Sequence, residues 1–264
     1  MKKSILTGVL AIATASGLMA QATPPTAPAT PVAPAGPKQP APKSQAELTA
    51  IQAMISAQQK NDLDGVIKAA DELMTKFADT EFKELALNME AEAYAQKGDN
   101  TKAQVYSEQA LALNPKNYQA ALMMAEMLGK QTRENDLDRE EKLGKVEKYA
   151  NDAITTVKDV PKPNPQVTDD QWNEYKKGII ARAHNAIGTG QLIRKKWDAA
   201  AAEFKLAVDN DPQPAFMVRE ASALQSAGKN EEAAALCDKV LAQPDLHPQI
   251  KQVAQQIKAA TVKK

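Results

Sequence analysis

The sequence predicts an all-α protein, and three observations support this class. Alanine is abundant, while aromatic residues make up only 4% of the 264 residues, a composition that favours closely packed helices over sheets. Apolar residues recur at helical spacing in one segment after another. Short breaks that contain Gly, Asn, Asp or Pro separate these segments. We therefore expect short helices that fold back on one another and approach closely through small side chains.

The charge balance indicates neither a nucleic-acid partner nor a membrane surface. The chain has 33 basic and 33 acidic residues and a formal net charge of zero, so it lacks the basic surface that DNA, RNA or anionic lipid attracts. The single cysteine, Cys237, cannot form an intrachain disulfide. The fold must therefore be held together by its hydrophobic core.

Residues 1–22 have the pattern of a signal peptide. Lys2 and Lys3 precede an apolar run over residues 5–20, and Ala20-Gln21-Ala22 has the small-x-small spacing that signal peptidase needs. As a helix, this run would span about 24 Å, short of the ~30 Å hydrocarbon core of a bilayer. We expect export to the periplasm or out of the cell, with no stable membrane span after cleavage; a retained anchor is the alternative.

Residues 23–43 form a different kind of segment, in which eight of the 16 prolines of the chain lie. Proline at this density blocks helices and favours an extended chain. We expect a disordered linker. The alternatives are a ligand for a proline-binding domain and a stalk that spans a cell wall.

Residues 87–115 have the clearest pattern of a helical hairpin. Two stripes of apolar or small residues flank a break at Gly98-Asp99-Asn100, and Pro115 ends the second helix. The stripes consist of Leu87, Ala91, Tyr94 and Ala95, followed by Ala103, Tyr106, Ala110 and Leu111.

This order and spacing resemble the tetratricopeptide repeat, whose pattern runs W-x2-L-G-x2-Y, then A-x3-F, then P over about 34 residues. The positions in register are Tyr94, Gly98, Ala103, Ala110 and Pro115. The pattern is broken at Glu90, Ala91 and Ser107, where the family usually has Leu, Gly and an aromatic residue. The resemblance implies a right-handed α-solenoid of stacked antiparallel helix pairs.

The same hairpin recurs over residues 44–245 as four to five repeats. A buried small or β-branched residue of each second helix marks the period, with offsets of 37, 43, 54 and 33 residues. The larger offsets predict insertions near 131–141 and 159–170. The marker residues are Val66, Ala103, Val146, Ala200 and Ala233.

Local signals place the ends of these repeats. Ser44 can cap the first helix, and Thr168 with Gln171 forms the pattern of a capping box before a long fourth-repeat helix. Gly188 matches the Gly of the Leu-Gly pair in the repeat pattern. Residues 246–264 are expected to form a C-terminal capping helix, which a solenoid needs to cover its last apolar face.

The sequence predicts no catalytic residue, metal or cofactor. His184 and His247 lie far apart without Cys or carboxylate at metal-ligand spacing, and we expect His184 to pack. Residues 60–65 resemble part of a calcium loop, but Lys60 stands where the first oxygen ligand belongs, so a turn is expected. Cys237 is expected to be a buried, unreactive thiol.

The resemblance implies a groove lined by the first helix of each pair, where an extended or helical peptide of a partner binds. Chaperone-binding members clamp a terminal carboxylate with a Lys and Asn pair, which Ile51 and Ile55 replace here. The groove-facing positions carried over from the family are Asn88, Glu92, Gln119, Leu122, Glu126, Arg182, Asn185, Thr189, Val218, Ser222 and Gln225.

The sequence therefore predicts a non-enzymatic interaction scaffold that binds a protein or peptide partner of the cell envelope. A glycan-cleaving envelope enzyme would need a Glu in an apolar pocket, and no acidic residue has a sequence context that marks it as such. A self-assembling structural protein is a further alternative, and the oligomeric state is left open. The acidic insertion at 131–141 is either a solvated loop or a partner-binding finger.

Overall fold

The computed structural model describes residues 40–163 and 166–262. The predicted signal peptide and residues 23–39 of the linker lie outside the described residues. Every element in the described part is an α-helix, which confirms the all-α prediction. In chain order the helices are α1 (Gln45–Gln59), α2 (Leu63–Lys76), α3 (Lys83–Gln96), α4 (Asn100–Leu113), α5 (Tyr118–Gln131), α6 (Arg139–Asp159), α7 (Asp169–Ile193), α8 (Trp197–Asn210), α9 (Pro214–Ser226), α10 (Asn230–Leu241) and α11 (Pro248–Val262).

The helices from α1 to α10 form five antiparallel pairs stacked side by side, and α11 packs on α9 and α10 at the end. We call the N-terminal helix of each pair its first helix and the other its second helix. The first helix of the third pair, α5, also packs directly on α3 and α7, the first helices of the two adjacent pairs. In the described part of the chain, no second helix packs closely on the next second helix. The stack therefore curves, with α1, α3, α5, α7 and α9 on its inner face.

Side-chain caps explain where several helices begin. The backbone N–H of Glu47 donates to Ser44 Oγ at 3.1 Å, as the sequence predicts. In the predicted capping box, the N–H of Gln171 donates to Thr168 Oγ1 at 3.2 Å and the N–H of Thr168 donates to Gln171 Oε1 at 3.1 Å. Each cap satisfies backbone donors that the first helical turn leaves free.

The five marker residues of the second helices, from Val66 to Ala233, are all buried, with at most 2% exposure. At Gly188 an added Cβ would lie only 2.8 Å from the Phe204 ring, so glycine is needed where α7 crosses α8. Cys237 is fully buried and its pKa is raised, chiefly by burial, which fits an unreactive thiol. These contacts confirm that the pairs approach through small residues.

Tight turns join the two helices of a pair, and each includes one residue with left-handed backbone. Gly98 has φ of 80° and Gly228 has φ of 81°, a conformation that costs glycine little. Asn61 holds the equivalent position between α1 and α2 with φ of 56°. The turn thus lies at residues 60–62, the predicted segment continues into α2, and Asp62 caps α2 by accepting from the N–H of Gly65 at 3.0 Å.

The third pair departs from this scheme, as the predicted acidic insertion requires. Residues 132–138 connect α5 to α6, and their carboxylates bond to neighbouring cations. Glu134 pairs with Lys195 at 2.5 Å, and Lys142 pairs with Asp136 at 3.2 Å. The loop is therefore fixed against the end of α7, while Leu137 at its tip is fully exposed.

The core includes a buried acidic group that the repeat pattern does not anticipate. Glu90 on α3 is 0% exposed, and no N–H or hydroxyl group among the described residues donates to its carboxyl oxygens. Burial and, next, the Asp71 carboxylate raise the pKa of Glu90 to about 8. Tyr106, which stacks on Tyr94 with ring centroids 5.3 Å apart, lies beside it. Glu90 is therefore held protonated at neutral pH.

Replacing Gly98 by alanine should destabilise the protein, because a left-handed conformation costs an L residue about 1–2 kcal/mol. An added Cβ at Gly98 meets nothing within 4 Å, so backbone conformation alone would cause the loss. We expect a lower midpoint of urea unfolding. The matched control is Gly144→Ala in the interior of α6, where the Cβ is also unobstructed and alanine is favoured by about 1 kcal/mol. A Gly98→Ala variant as stable as the wild type would contradict the prediction.

Replacing Glu90 by glutamine should change the pH dependence of stability. Glu90 ionises near its ordinary pKa of 4.5 in the unfolded chain but near 8 in the folded chain. Between these values the folded state binds more protons, so the wild type loses stability as the pH rises from about 4.5 to 8. We expect this loss to be a few kcal/mol, since each unit of pKa shift corresponds to about 1.4 kcal/mol, and to be absent in Glu90→Gln.

Urea unfolding at a series of pH values measures this effect. Glu108→Gln is the matched control, because Glu108 is exposed on α4 and its replacement removes the same charge from the surface. If the wild type and Glu90→Gln gave parallel stability curves, Glu90 would not be the buried acid that the structure places in the core.

Candidate functional site

Four side-chain bridges connect neighbouring first helices along the inner face. We call these bridges the groove ladder, because they follow one another from the α1 end of the stack to the α9 end. In order they are Gln58–Glu92, Asn88–Gln119, Glu126–Arg182 and Asn185–Arg219. Together they join five helices that are distant in sequence.

The strongest bridge lies in the middle of the groove ladder. Arg182 donates from Nε to Glu126 Oε1 and from Nη2 to Glu126 Oε2, each at 2.8 Å. Burial alone would lower the pKa of Arg182, but the bonds and charge of Glu126 leave it above its ordinary value. Such a two-bond pair fixes both side chains and neutralises both charges.

Glu92 carries the charge at the α1 end of the groove ladder. It accepts hydrogen bonds only from amides, those of Gln96 at 3.3 Å and Gln58 at 3.5 Å, and has no ion pair within the described part of the chain. Burial raises the pKa of Glu92, while the more distant charge of Arg182 lowers it. Its carboxylate therefore lacks a direct counter-ion.

Arg219 carries the charge at the α9 end. Its Nη1 donates to Asn185 Oδ1 at 2.9 Å and to Thr189 Oγ1 at 3.3 Å. Arg219 is exposed on the inner face, yet protein surrounds it on enough sides that burial lowers its pKa. Among the described residues no carboxylate pairs with it. This guanidinium is oriented by neutral groups alone.

A cavity of about 510 Å³ opens at the α1 end, next to Glu92. Its lining combines apolar side chains with amides and two charged groups, Glu92 and Arg182. The apolar lining residues are Leu63, Val66, Met89 and Ala93, and the polar ones are Gln58, Gln59, Asn61, Glu92, Gln96 and Arg182. The cavity is large enough for a long side chain.

The structure brings most of the predicted groove residues together on the inner face. The predicted residues that take part in the groove ladder are Asn88, Glu92, Gln119, Glu126, Arg182 and Asn185. Thr189 accepts from Arg219 and donates to Asn185 O at 2.8 Å. Ser222 and Gln225 are half-buried further along α9.

Leu122 does not face the groove, so its predicted placement there is wrong. It is 2% exposed and packs within the main hydrophobic cluster. The physical reason is that α5 contacts helices on three sides, which buries most of its 14 residues and leaves a narrow inner face. Val218 is likewise buried, with 8% exposure.

Sequence reasoning missed two members of the groove ladder, Gln58 and Arg219. Gln58 precedes Glu92 by 34 residues and Arg219 follows Asn185 by 34 residues. This offset equals one repeat length. Applying the repeat period to Glu92 and Asn185 would have found both residues.

Glu90 and the His184–Glu203 pair have side chains of the kind that acid–base chemistry uses. Glu90 has the raised pKa that suits a general acid, but it is 0% exposed and no substrate can reach it. His184 places Nδ1 2.8 Å from Glu203 Oε2 in a half-buried pair. No group of three or more His, Cys, Asp or Glu side chains converges for a metal in the described ranges.

None of the helices in the described ranges combines the length and apolar composition that a bilayer span requires. This finding concerns residues 40–163 and 166–262, and the predicted signal peptide lies outside them.

Comparison with known proteins identifies the architecture. No protein-family model and no curated protein sequence matches the chain. Among solved structures, the chain resembles TTC0263, a thermophilic TPR protein of Thermus thermophilus, with 16% identity and a TM-score of 0.53 over 82% of this chain and 99% of that chain.

The chain also resembles MamA, with 13% identity and a TM-score of 0.53 over 80% of this chain and 94% of that chain. A MamA fragment from Desulfovibrio magneticus RS-1 gives 14% identity and a TM-score of 0.50 over 75% and 94% of the two chains. These likenesses agree with the five helix pairs, the left-handed turn residues and the small crossing residues. The described part of the chain therefore has the tetratricopeptide-repeat fold.

Proposed function

We propose that this protein is a non-enzymatic interaction scaffold of the cell envelope that binds a segment of a partner protein along its concave inner face. The observation that carries this proposal is the groove ladder. It lines one continuous surface with oriented polar side chains and leaves a charge without a direct counter-ion at each end. Such a surface can recognise a partner segment without further rearrangement.

Pre-organisation is the physical advantage of this arrangement. A flexible side chain that becomes immobilised on binding costs about 0.5–1.5 kcal/mol. Arg182 and Asn88 are already held by Glu126 and Gln119, so their ordering is part of folding rather than of binding. The partner then gains affinity from contacts with little entropic loss in the scaffold.

The envelope location rests on the N-terminal sequence. Lys2, Lys3, the apolar run and Ala20-Gln21-Ala22 support export. The proline-rich residues 23–43 would then separate the repeats from the point of cleavage or attachment. A buried lone thiol at Cys237 suits an oxidising compartment, since it offers no exposed sulfur for unwanted disulfides.

A photo-crosslinking side chain placed at Gln119 should capture the partner in intact cells. Gln119 is exposed on the inner face, so a bound segment would pass within reach. The matched control is the same side chain at Glu108, which is exposed on the second helix α4. We expect a discrete crosslinked product from position 119 that is absent from position 108, detected by mass spectrometry.

The double variant Asn88→Ala, Arg182→Glu should abolish that product, because it truncates Asn88 and replaces the Glu126–Arg182 pair with two carboxylates that repel each other. Circular dichroism would verify that the variant remains helical. Equal capture from positions 119 and 108, or capture unchanged by the double variant, would overturn the groove proposal.

The exported protein should begin at Thr23, directly after Ala20-Gln21-Ala22. N-terminal sequencing of the protein from fractionated cells measures this. The Ala20→Leu, Ala22→Leu variant should accumulate uncleaved, because signal peptidase requires small residues at these positions. An intact Met1 on wild-type protein in the membrane fraction would instead support the retained anchor.

A further inference from the structure

We infer that the partner segment presents an acidic group to Arg219 at the α9 end of the groove and a basic side chain to Glu92 at the α1 end. This inference rests on the proposed function, because it specifies the chemistry of the segment that the groove binds. It follows from the charges that remain once every bridge of the groove ladder is counted.

The acidic group is inferred from the surroundings of Arg219. One nitrogen of its guanidinium donates to Asn185 and Thr189, and a guanidinium has five N–H donors in a fixed fork. The nearest acidic group that acts on it, Glu126, is already held by two bonds from Arg182. The remaining donors of Arg219 therefore match a carboxylate from outside the chain.

The basic side chain is inferred from the cavity beside Glu92. Val66, Met89 and Ala93 line it, and their apolar surface suits the aliphatic stem of a lysine or arginine, which prefers to lie on apolar surface while its charged head remains polar. The Glu92 carboxylate lines the same cavity and, among the described residues, accepts hydrogen bonds only from amides. A cation bound there would supply the direct counter-ion that Glu92 lacks.

The centre of the groove does not require a charged residue in the partner segment. Arg182 borders the same cavity and lowers the pKa of Glu92, but both of its bonds are made to Glu126, so it leaves Glu92 without a direct ion pair. Three helix-to-helix steps of about 8–10 Å separate α3 from α9. Because α7 and α9 do not pack closely on each other, about nine or more extended residues at about 3.3 Å each are needed to cover that distance.

The proline-rich segment of this chain does not meet the same requirement. Residues 23–39 contain Lys38 but no Asp or Glu. The segment could offer a cation to Glu92 and nothing to Arg219. The segment that binds in the groove therefore belongs to another protein and carries both charges.

A displayed library of random twelve-residue peptides, selected on the purified full-length mature protein, tests the inference. We expect enriched peptides to contain an acidic and a basic residue at a nearly constant separation. Selection on Arg219→Glu should replace the acidic preference with a basic one, and selection on Glu92→Lys should replace the basic preference with an acidic one. Lys205→Glu, on the second helix α8 where Lys205 is exposed, is the control and should leave both preferences unchanged.

Fluorescence anisotropy with one enriched peptide gives the magnitude. We expect Arg219→Gln to weaken binding about five- to tenfold, the range for losing one charge pair at a partly exposed position. Arg219→Lys keeps the charge and should retain the acidic preference with a smaller loss. This variant separates a charge requirement from a structural role of Arg219.

The outcomes distinguish this inference from the proposed function. The inference alone would be overturned by peptides that crosslink to position 119 but lack the charge preferences. It would also be overturned if the charge preferences were unchanged in the Arg219 and Glu92 variants. Enrichment of no peptide, or of peptides that crosslink equally at position 108, would overturn the proposed function with it. Self-association of the protein that competes with the peptides would identify a second copy as the occupant and overturn the inference.

Discussion

The close approach of paired helices through small side chains is the constraint on which this structure depends. Ala103 and Ala200 are fully buried, and Gly188 leaves the space that the Phe204 ring fills. A single pair cannot bury both of its faces, so each pair needs the next one. With no disulfide available to the lone Cys237, repeated packing of this kind supplies the stability of the array.

Curvature follows from this packing and creates the inner face. Because α5 contacts α3 and α7 directly while the second helices stay apart, polar side chains of successive first helices come within bonding distance. The groove ladder results, with its closed Glu126–Arg182 pair at the centre. Packing thus determines the binding surface, since the same contacts that stack the repeats also orient its polar groups.

Glu90 shows that the core is not optimised everywhere for stability. It stands where the repeat pattern has leucine, and no N–H or hydroxyl group among the described residues donates to it. Its protonated state removes the cost of a buried charge but not that of buried polar atoms. Burial and the Asp71 carboxylate raise the pKa of Glu90, and Glu90 in turn contributes to the raised pKa of Tyr106. The second repeat is therefore less stable than it would be with leucine at this position, and it contains a carboxyl group whose pKa lies near neutral pH.

The sequence by itself determined the helix pairs, because caps such as Ser44 and breaks such as Gly98 depend on local backbone chemistry. It also placed Asn88, Glu92 and Arg182 on the inner face. Only the tertiary structure decided that Leu122 is buried and that Arg182 pairs with Glu126 rather than with another charge. These outcomes depend on how the neighbouring helices α3, α4, α6 and α7 pack around α5, and contacts between helices that are distant in sequence cannot be derived from local patterns.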